Sequence, residues 1–433
     1  MKKIFTAIFI LIILQTYAMG NETQKVFLNE AIEIALQNNI DLEANKIDLT
    51  VAKNKVFQAN RLQNPSIETF YFVGNSGNSE PKQIGVSQNI EIAKRNARKK
   101  LATSELNLLE KNYDYTAFDL KMDVREAYIN LVAAKSILDT LEQQKQLQEE
   151  LFKIAQNRVK NKKAPEVDVI QAEIALNQLT TQINSAKMDV KKALSAFNKV
   201  INTTENITYD SMDMRFLEEN NFKEMNTPPP TTNFPNTEDI VKKALTKRFD
   251  IQICKQELDI SNKNLTVLTR QKIPDFQIMG GYAYTPGRHT DSGKTEHGAW
   301  AGASLTNIPL FYNYAPEINN AILKIRQTEL KIISTENKAK KDIATAYEKF
   351  LTAAENLNHY EQKIIKGSEH LIDVSKESYE KGETDIVSLI VMKQSYKSII
   401  IGYAQALAEY YNSWTNLLRE ANDENFSLTN EFI

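Results

Sequence analysis

The chain has 433 residues, with 53 Lys+Arg against 55 Asp+Glu and a formal net charge of −2, a balance that excludes a strongly basic nucleic-acid binder. Apolar residues make up 42% and charged residues 25%, close to the globular average, so the chain can bury a sizeable core. A single cysteine, Cys254, excludes an internal disulfide framework, and four histidines leave little material for metal or triad chemistry.

At the N-terminus, Lys2 and Lys3 precede an apolar run from Ile4 to Leu14, followed by Thr16-Tyr17-Ala18 and Ala18-Met19-Gly20. Charged, apolar and small-residue regions in that order predict a secretory signal peptide over residues 1–20, cleaved after Ala18 or Gly20. The run is well short of the roughly 20 residues a spanning helix needs. No later segment is apolar enough to span as a helix, which leaves a secreted, periplasmic or β-barrel protein.

Glycine and proline organise the rest. The 79 residues between Gly85 and Pro165 contain neither, and another 50 between Pro316 and Gly367 are equally uninterrupted. Helices of that length need partners along their whole extent. Val124, Ala127, Leu131, Ala134, Leu138 and Leu141 supply a seam at coiled-coil spacing. A constant offset turns that seam into Ile343, Ala346, Phe350, Ala353, Leu357 and Tyr360, so the chain is an internal duplication. The repeats run over 21–202 and 237–422, separated by a Pro-rich polar linker at 203–236 containing Pro228-Pro229-Pro230, and a tail follows at 423–433.

Nine of the 13 glycines fall in residues 74–85 and 280–302, where the pattern changes to period two. Ile84, Val86 and Ile90 alternate with Gly85, Ser87 and Asn89; Phe276, Ile278, Tyr282 and Tyr284 alternate with Gln277, Met279, Gly281 and Ala283. This predicts one hairpin per repeat, at about 65–91 and 274–310. Phe70, Tyr71, Phe72, Tyr282, Tyr284 and Trp300 suit a membrane-interface girdle, although soluble hairpins packed on a helix would carry the same pattern. Four strands cannot close a transmembrane barrel, which takes about eight or more, and an open edge is not viable in lipid. In a membrane, several chains must therefore pool their strands, and three copies would give about twelve.

Over essentially the whole mature chain these residues resemble the TolC-like outer-membrane efflux channel family. Asn64-Pro65-Ser66-Ile67-Glu68, Ser87-Gln88-Asn89-Ile90-Glu91-Ile92 with Lys94, Arg95 and Arg98, and Ile308-Pro309-Leu310-Phe311 with Glu317-Ile318 look like its strand-to-helix corners, in particular those of the CzcC and CusC-like heavy-metal branch. The resemblance implies a mainly α fold with a small β part. Duplicated coiled-coil helices would form a periplasmic α-barrel, and four strands per chain would join a trimeric 12-stranded barrel. It also implies a homotrimer in outer-membrane lipid, docking a periplasmic adaptor and an inner-membrane pump of RND or ABC type. Such a chain is a passive exit duct for metal ions or small toxic compounds. A type I protein-secretion duct shares that build, and a periplasmic coiled-coil structural or adaptor protein would explain the seams alone.

At the tips, where each long helix turns back, the resemblance maps gate residues onto Arg158 and Asp168 in the first repeat and Tyr379 and Gly382 in the second. Asp168 would accept a hydrogen bond from Tyr379, or else cap the returning helix. The family's further arginine and acidic ring positions are Thr384, Ser388 and Val391 here, so no acidic ring is expected there. Lys160, Lys162 and Lys163, with Lys381, are candidate adaptor contacts. The sequence carries no phosphate-cradling glycine loop, HExxH pair or CxxC, so no enzyme activity, cofactor, metal site or nucleic-acid partner is expected. His289 and His297 read as solvated loop residues.

Overall fold

The computed structural model describes residues 22–70, 82–201, 207–211, 237–285, 293–365, 367, 374, 377–378, 381 and 384–424. The expected signal peptide, both hairpin tips, most of the inter-repeat segment and the last nine residues lie outside them. In chain order the elements are β1 (Glu22–Val26), α1 (Leu28–Asn38), α2 (Ile40–Ala59), β2 (Ser66–Phe70), β3 (Lys82–Ile90), α3 (Lys94–Lys160), α4 (Glu166–Ile201) and β4 (Ile207–Ser211). They continue with α5 (Thr237–Lys247), α6 (Phe249–Arg270), β5 (Asp275–Thr285), β6 (Glu296–Thr306), α7 (Ala315–His359), a π-helical turn (Tyr360–Ile364) and α8 (Ile386–Ala421). Among the described residues no helix is long and apolar enough to cross a membrane.

The chain divides into two compact units, each drawing on both repeats. One comprises residues 44–114 and 249–337 and holds a four-stranded antiparallel sheet in the order β2-β3-β5-β6. The two expected hairpins are present, and β3 joins them through its pairing with β5, from Lys82↔Tyr284 to Ile90↔Phe276. Where these strands meet helices, charged groups replace apolar packing. Lys94, at the first position of α3, pairs with Asp275, at the first position of β5; the distance is 2.8 Å and the side chains are 7% and 3% exposed. Asn307, in a left-handed conformation just past β6, donates to the same carboxylate oxygen at 2.7 Å. Arg98 clasps Glu91 with two bonds of 2.8 and 2.6 Å, and Arg270 donates to the Ala93 carbonyl. Arg98, which resemblance placed at a strand-to-helix corner, is thereby tied to the residue that follows β3.

The second unit comprises residues 1–43, 115–248 and 338–433. Its core gathers Val26, Leu28, Ala31, Tyr128, Leu131, Phe197 and Ile201. The expected seams form here. Val124, Leu131 and Leu141 are buried in the first copy, as are Ile343, Ala346, Phe350, Ala353 and Leu357 in the second. At the last seam position, Tyr360, the α-helix gives way to the π turn, and the Tyr360 hydroxyl occupies space that any side chain larger than Gly402's would need.

Two segments read from sequence as connectors carry structure. Residues 207–211, inside the expected linker, form β4, which pairs in parallel with β1. The Asn198 amide brackets Tyr209, accepting from its N–H at 2.7 Å and donating to its carbonyl at 2.8 Å, while Lys135 reaches Asp210 at 2.5 Å. Asp423 and Glu424, the start of the expected tail, pair with Lys247 and Lys121. Linker composition was a poor guide because a short parallel strand bonded to one neighbour needs no long apolar run.

Phe350 is fully buried, stacked on Tyr410 at 5.4 Å and tilted against Trp414 at 5.2 Å. Phe350→Ala is expected to destabilise this unit by about 3–5 kcal/mol, measured by thermal or denaturant unfolding in detergent.

Candidate functional site

The sheet has two chemically different faces, and strand register assigns them. One carries Ile67, Val86, Gly280 and Ala301 in one row, Thr69, Ile84, Tyr282 and Ala299 in the next, then Gln88, Ile278 and Ala303, and Ile90, Phe276 and Leu305. Ile67, Ile84, Val86, Ile278, Tyr282, Tyr284 and Leu305 are exposed there despite being large and apolar. The opposite face is polar. Ser87 donates to Glu68 at 2.5 Å, Ser304 to Gln277 at 3.2 Å and Thr306 to Asn89 at 3.3 Å. An apolar exposed face backed by a polar one is the inverse of a soluble sheet packed on a core, and it is the pattern of a barrel wall in lipid.

Trp300 lies directly opposite Gly281 in the register, on the polar face, so it does not belong to an interface girdle with Tyr282 and Tyr284. Its ring covers Gly85, where an added Cβ would come within 2.7 Å of Trp300 Cζ2. The cross-strand register decides this: Ala299 lies opposite Tyr282, so Trp300, the next residue, points to the other side. Tyr282 bonds His297 Nδ1 at 2.5 Å, which gives that histidine a partner other than solvent. His289 lies outside the described residues.

The first-repeat tip is a helix stop followed by a restart. The Lys163 N–H bonds to the Arg158 carbonyl at 2.8 Å and the Lys162 N–H to the Val159 carbonyl at 2.9 Å, with Lys162 at φ 59°. This is the Schellman arrangement, with a lysine in the left-handed position that glycine usually fills. Lys160, Lys162 and Lys163 are all exposed. Beside the turn, Leu151, Ala155 and Ala172 of the first repeat bury against Ile386 and Leu389 of the second.

Arg158 and Asp168 are both half-buried and interact electrostatically. Burial and the nearby Asp385 push the Asp168 carboxyl above the usual aspartate range, and Arg158 only partly opposes them. Asp385 was missed in the sequence. It caps α8 by accepting from the Ser388 N–H at 2.8 Å, and hydrogen bonds from Ser388, its side chain first and its backbone second, hold the Asp385 carboxyl low. The Asp-x-x-Ser spacing at a helix start was the available signal. Tyr379 and Gly382 lie outside the described residues, so the expected Asp168–Tyr379 contact does too. Lys381 is exposed and pairs with Glu377 at 2.5 Å.

Residues 31–203 match the family described as outer membrane efflux protein. The fold likeness extends further. The Campylobacter jejuni CmeC outer membrane channel is 16% identical, with 93% of this chain and 89% of that one covered at a TM-score of 0.68. The chain has the outer membrane efflux channel fold. VceC, an outer membrane protein of Vibrio cholerae, gives 15% identity, 92% and 96% coverage and a TM-score of 0.68. CusC, described in terms of transmembrane channel formation, gives 12%, 91% of each chain and 0.71. No curated protein matches. The matched family model and these similar structures are those of outer-membrane proteins. The three structures superpose about equally well, so the fold does not single out a CusC-like branch.

Two expectations follow. A Cβ at Gly281 would press on the Ile84 carbonyl and the Gly85 backbone, whereas one at Gly298 meets nothing. Gly281→Ala should therefore cost about 1–3 kcal/mol through overpacking and reduce the yield of folded protein in detergent, with Gly298→Ala as an unaffected control. At the tip, the raised Asp168 means that its ionisation opposes folding as pH rises from the unfolded aspartate value through the folded one. Asp168→Asn should raise the melting temperature modestly at neutral pH. That gain should vanish below about pH 4, where both states are protonated.

Proposed function

We propose that the chain is a passive exit duct of the outer membrane, assembled as a trimer whose twelve strands close one barrel and whose long helices reach into the periplasm. The observation that carries this reading is the open four-stranded sheet with an apolar outer face, a polar inner face and unpaired edges at β2 and β6. A backbone edge has no partner in hydrocarbon, so each β2 must pair with the β6 of a neighbouring copy. The family match and the fold likeness agree with this assembly. The sheet also favours a duct over a coiled-coil adaptor or stalk, which would have no use for an exposed apolar face of this kind.

In this reading the duct docks a periplasmic adaptor and an inner-membrane pump of RND or ABC type, which supply energy and select the cargo, either metal ions or small toxic compounds. Arg158 and Asp168, with Tyr379 and Gly382, form the closed tip; Lys160, Lys162, Lys163 and Lys381 present a basic surface to the adaptor. Hydrolysis and redox chemistry have no part in the mechanism: transport is diffusion through a pore that opens when the tip hairpins part.

The mature protein should purify as a detergent-requiring trimer and form pores in planar bilayers. Asp168→Ala and Tyr379→Phe should each increase conductance. A monodisperse monomer without detergent in light scattering would overturn the assembly, and unchanged conductance in both variants would remove the gate residues from it.

A further inference from the structure

In the unit built from residues 44–114 and 249–337, the two repeats meet at a joint whose halves the duplication places again at the outer edges of the sheet. The register pair Ile67↔Val86 of the first hairpin corresponds to Phe276↔Leu305 of the second. The same equivalence carries buried Leu42 of α2 onto buried Ile251 of α6, and buried Ala102 of α3 onto buried Ala321 of α7. At the internal joint β3 pairs with β5, and the helices attached to them, α3 after β3 and α6 before β5, are bonded side by side. Gln256 of α6 donates to the Ser104 carbonyl and hydroxyl of α3 at 3.0 and 3.1 Å, Ser104 donates to Asp259, and Lys111 donates to Gln252 at 2.9 Å.

Each edge of the sheet carries one half of such a joint. Helix α2 precedes β2 as α6 precedes β5, and α7 follows β6 as α3 follows β3. In this correspondence Gln256 becomes Ile47, Ser104 becomes Leu323 and Lys111 becomes Leu330. Ser104 is 3% exposed in the internal joint, whereas Leu323 is 66%, Leu330 52% and Ile47 60% exposed. Positions that bond helix to helix at one joint are therefore open and apolar at the other. Val51 and Ile333, about one turn further along, extend the two stripes and are exposed as well. The stripes differ, one on each edge, so they fit head to tail, and a heterologous contact of that kind closes a ring when its rotation allows.

We propose that α7 of one copy packs along α2 of the next, Leu323 and Leu330 against Ile47, in a joint between chains equivalent to the α3–α6 joint within one. Pairing β6 with β2 of the neighbour brings these helices together, and burial of the apolar stripes then favours association where hydrogen bonds serve inside the chain. This joint presupposes the ring of copies proposed above, and the experiment separates the two. Mature chains carrying only Ile47→Cys and chains carrying only Leu323→Cys, differently tagged, are produced together and oxidised in detergent. Cys254 is buried, and the wild-type chain serves as the blank. A disulfide joining the two tags can form only between chains.

The expected result is a mixed disulfide on non-reducing gels when both variants are present and none when either is alone. Leu323→Glu should lower the yield of trimer about tenfold, because assembly would bury an unpaired carboxylate, and Leu323→Met should restore it. Since Leu323 is exposed in the single chain, the glutamate should leave the helical circular dichroism unchanged. Trimers that give no mixed disulfide overturn this joint and leave the duct standing, with the stripes then free for another partner such as an adaptor. Trimers of Leu323→Glu as abundant as wild type also count against it. A mixed disulfide in assemblies that form no pores would sink the duct while keeping the joint, and a detergent-independent monomer without the disulfide removes both.

Discussion

A strand edge placed in hydrocarbon has no water to bond its amides, and several kcal/mol are at stake for each unmatched group. The sheet described above has two such edges, β2 and β6, and a face of isoleucine, valine and tyrosine that is misplaced in water. Neither problem can be solved inside one chain. The edges call for neighbours, the face calls for lipid, and a closed ring of copies in a membrane answers both. In the proposed duct, the rest of the architecture serves to deliver the sheets of neighbouring copies in register.

Delivery depends on the corners. Lys94 and Asp275 are nearly sealed from solvent, and a buried ion pair stabilises little compared with apolar side chains of the same volume. It does penalise misplacement, since a charge left alone in that environment is expensive. With Asn307 on the same carboxylate and Arg98 on Glu91, the first residue of a long helix is fixed to the first residue of a strand from the other repeat. Such a lock is suited to setting the direction in which a strand leaves the sheet and becomes a helix.

Much of this was legible in the sequence because periodicity is a direct image of geometry. The spacing of Val124, Leu131 and Leu141 and its echo in Ile343, Phe350 and Leu357 gave the buried seams, and period two at Ile84–Val86 and Ile278–Tyr282 gave the sheet. What stayed hidden depended on contacts between distant residues. The Lys94–Asp275 pair joins positions with no local pattern, and β4 is stitched to its surroundings by Asn198 and Lys135 rather than by its own composition. At the tip, Arg158 and Asp168 were found through resemblance, whereas Asp385 was overlooked because its capping role depends on which turn opens α8.

The interleaving of the two repeats has a temporal side. Each compact unit takes segments from both halves of the chain, and β3 waits for β5, almost two hundred residues later, before it gains its second neighbour. Contacts between such remote positions form slowly, because loop closure must precede any gain from pairing. A nascent first repeat therefore emerges with an apolar strand face and a half-built core that it cannot cover by itself. Until the second half arrives, that state is prone to aggregate in an aqueous compartment.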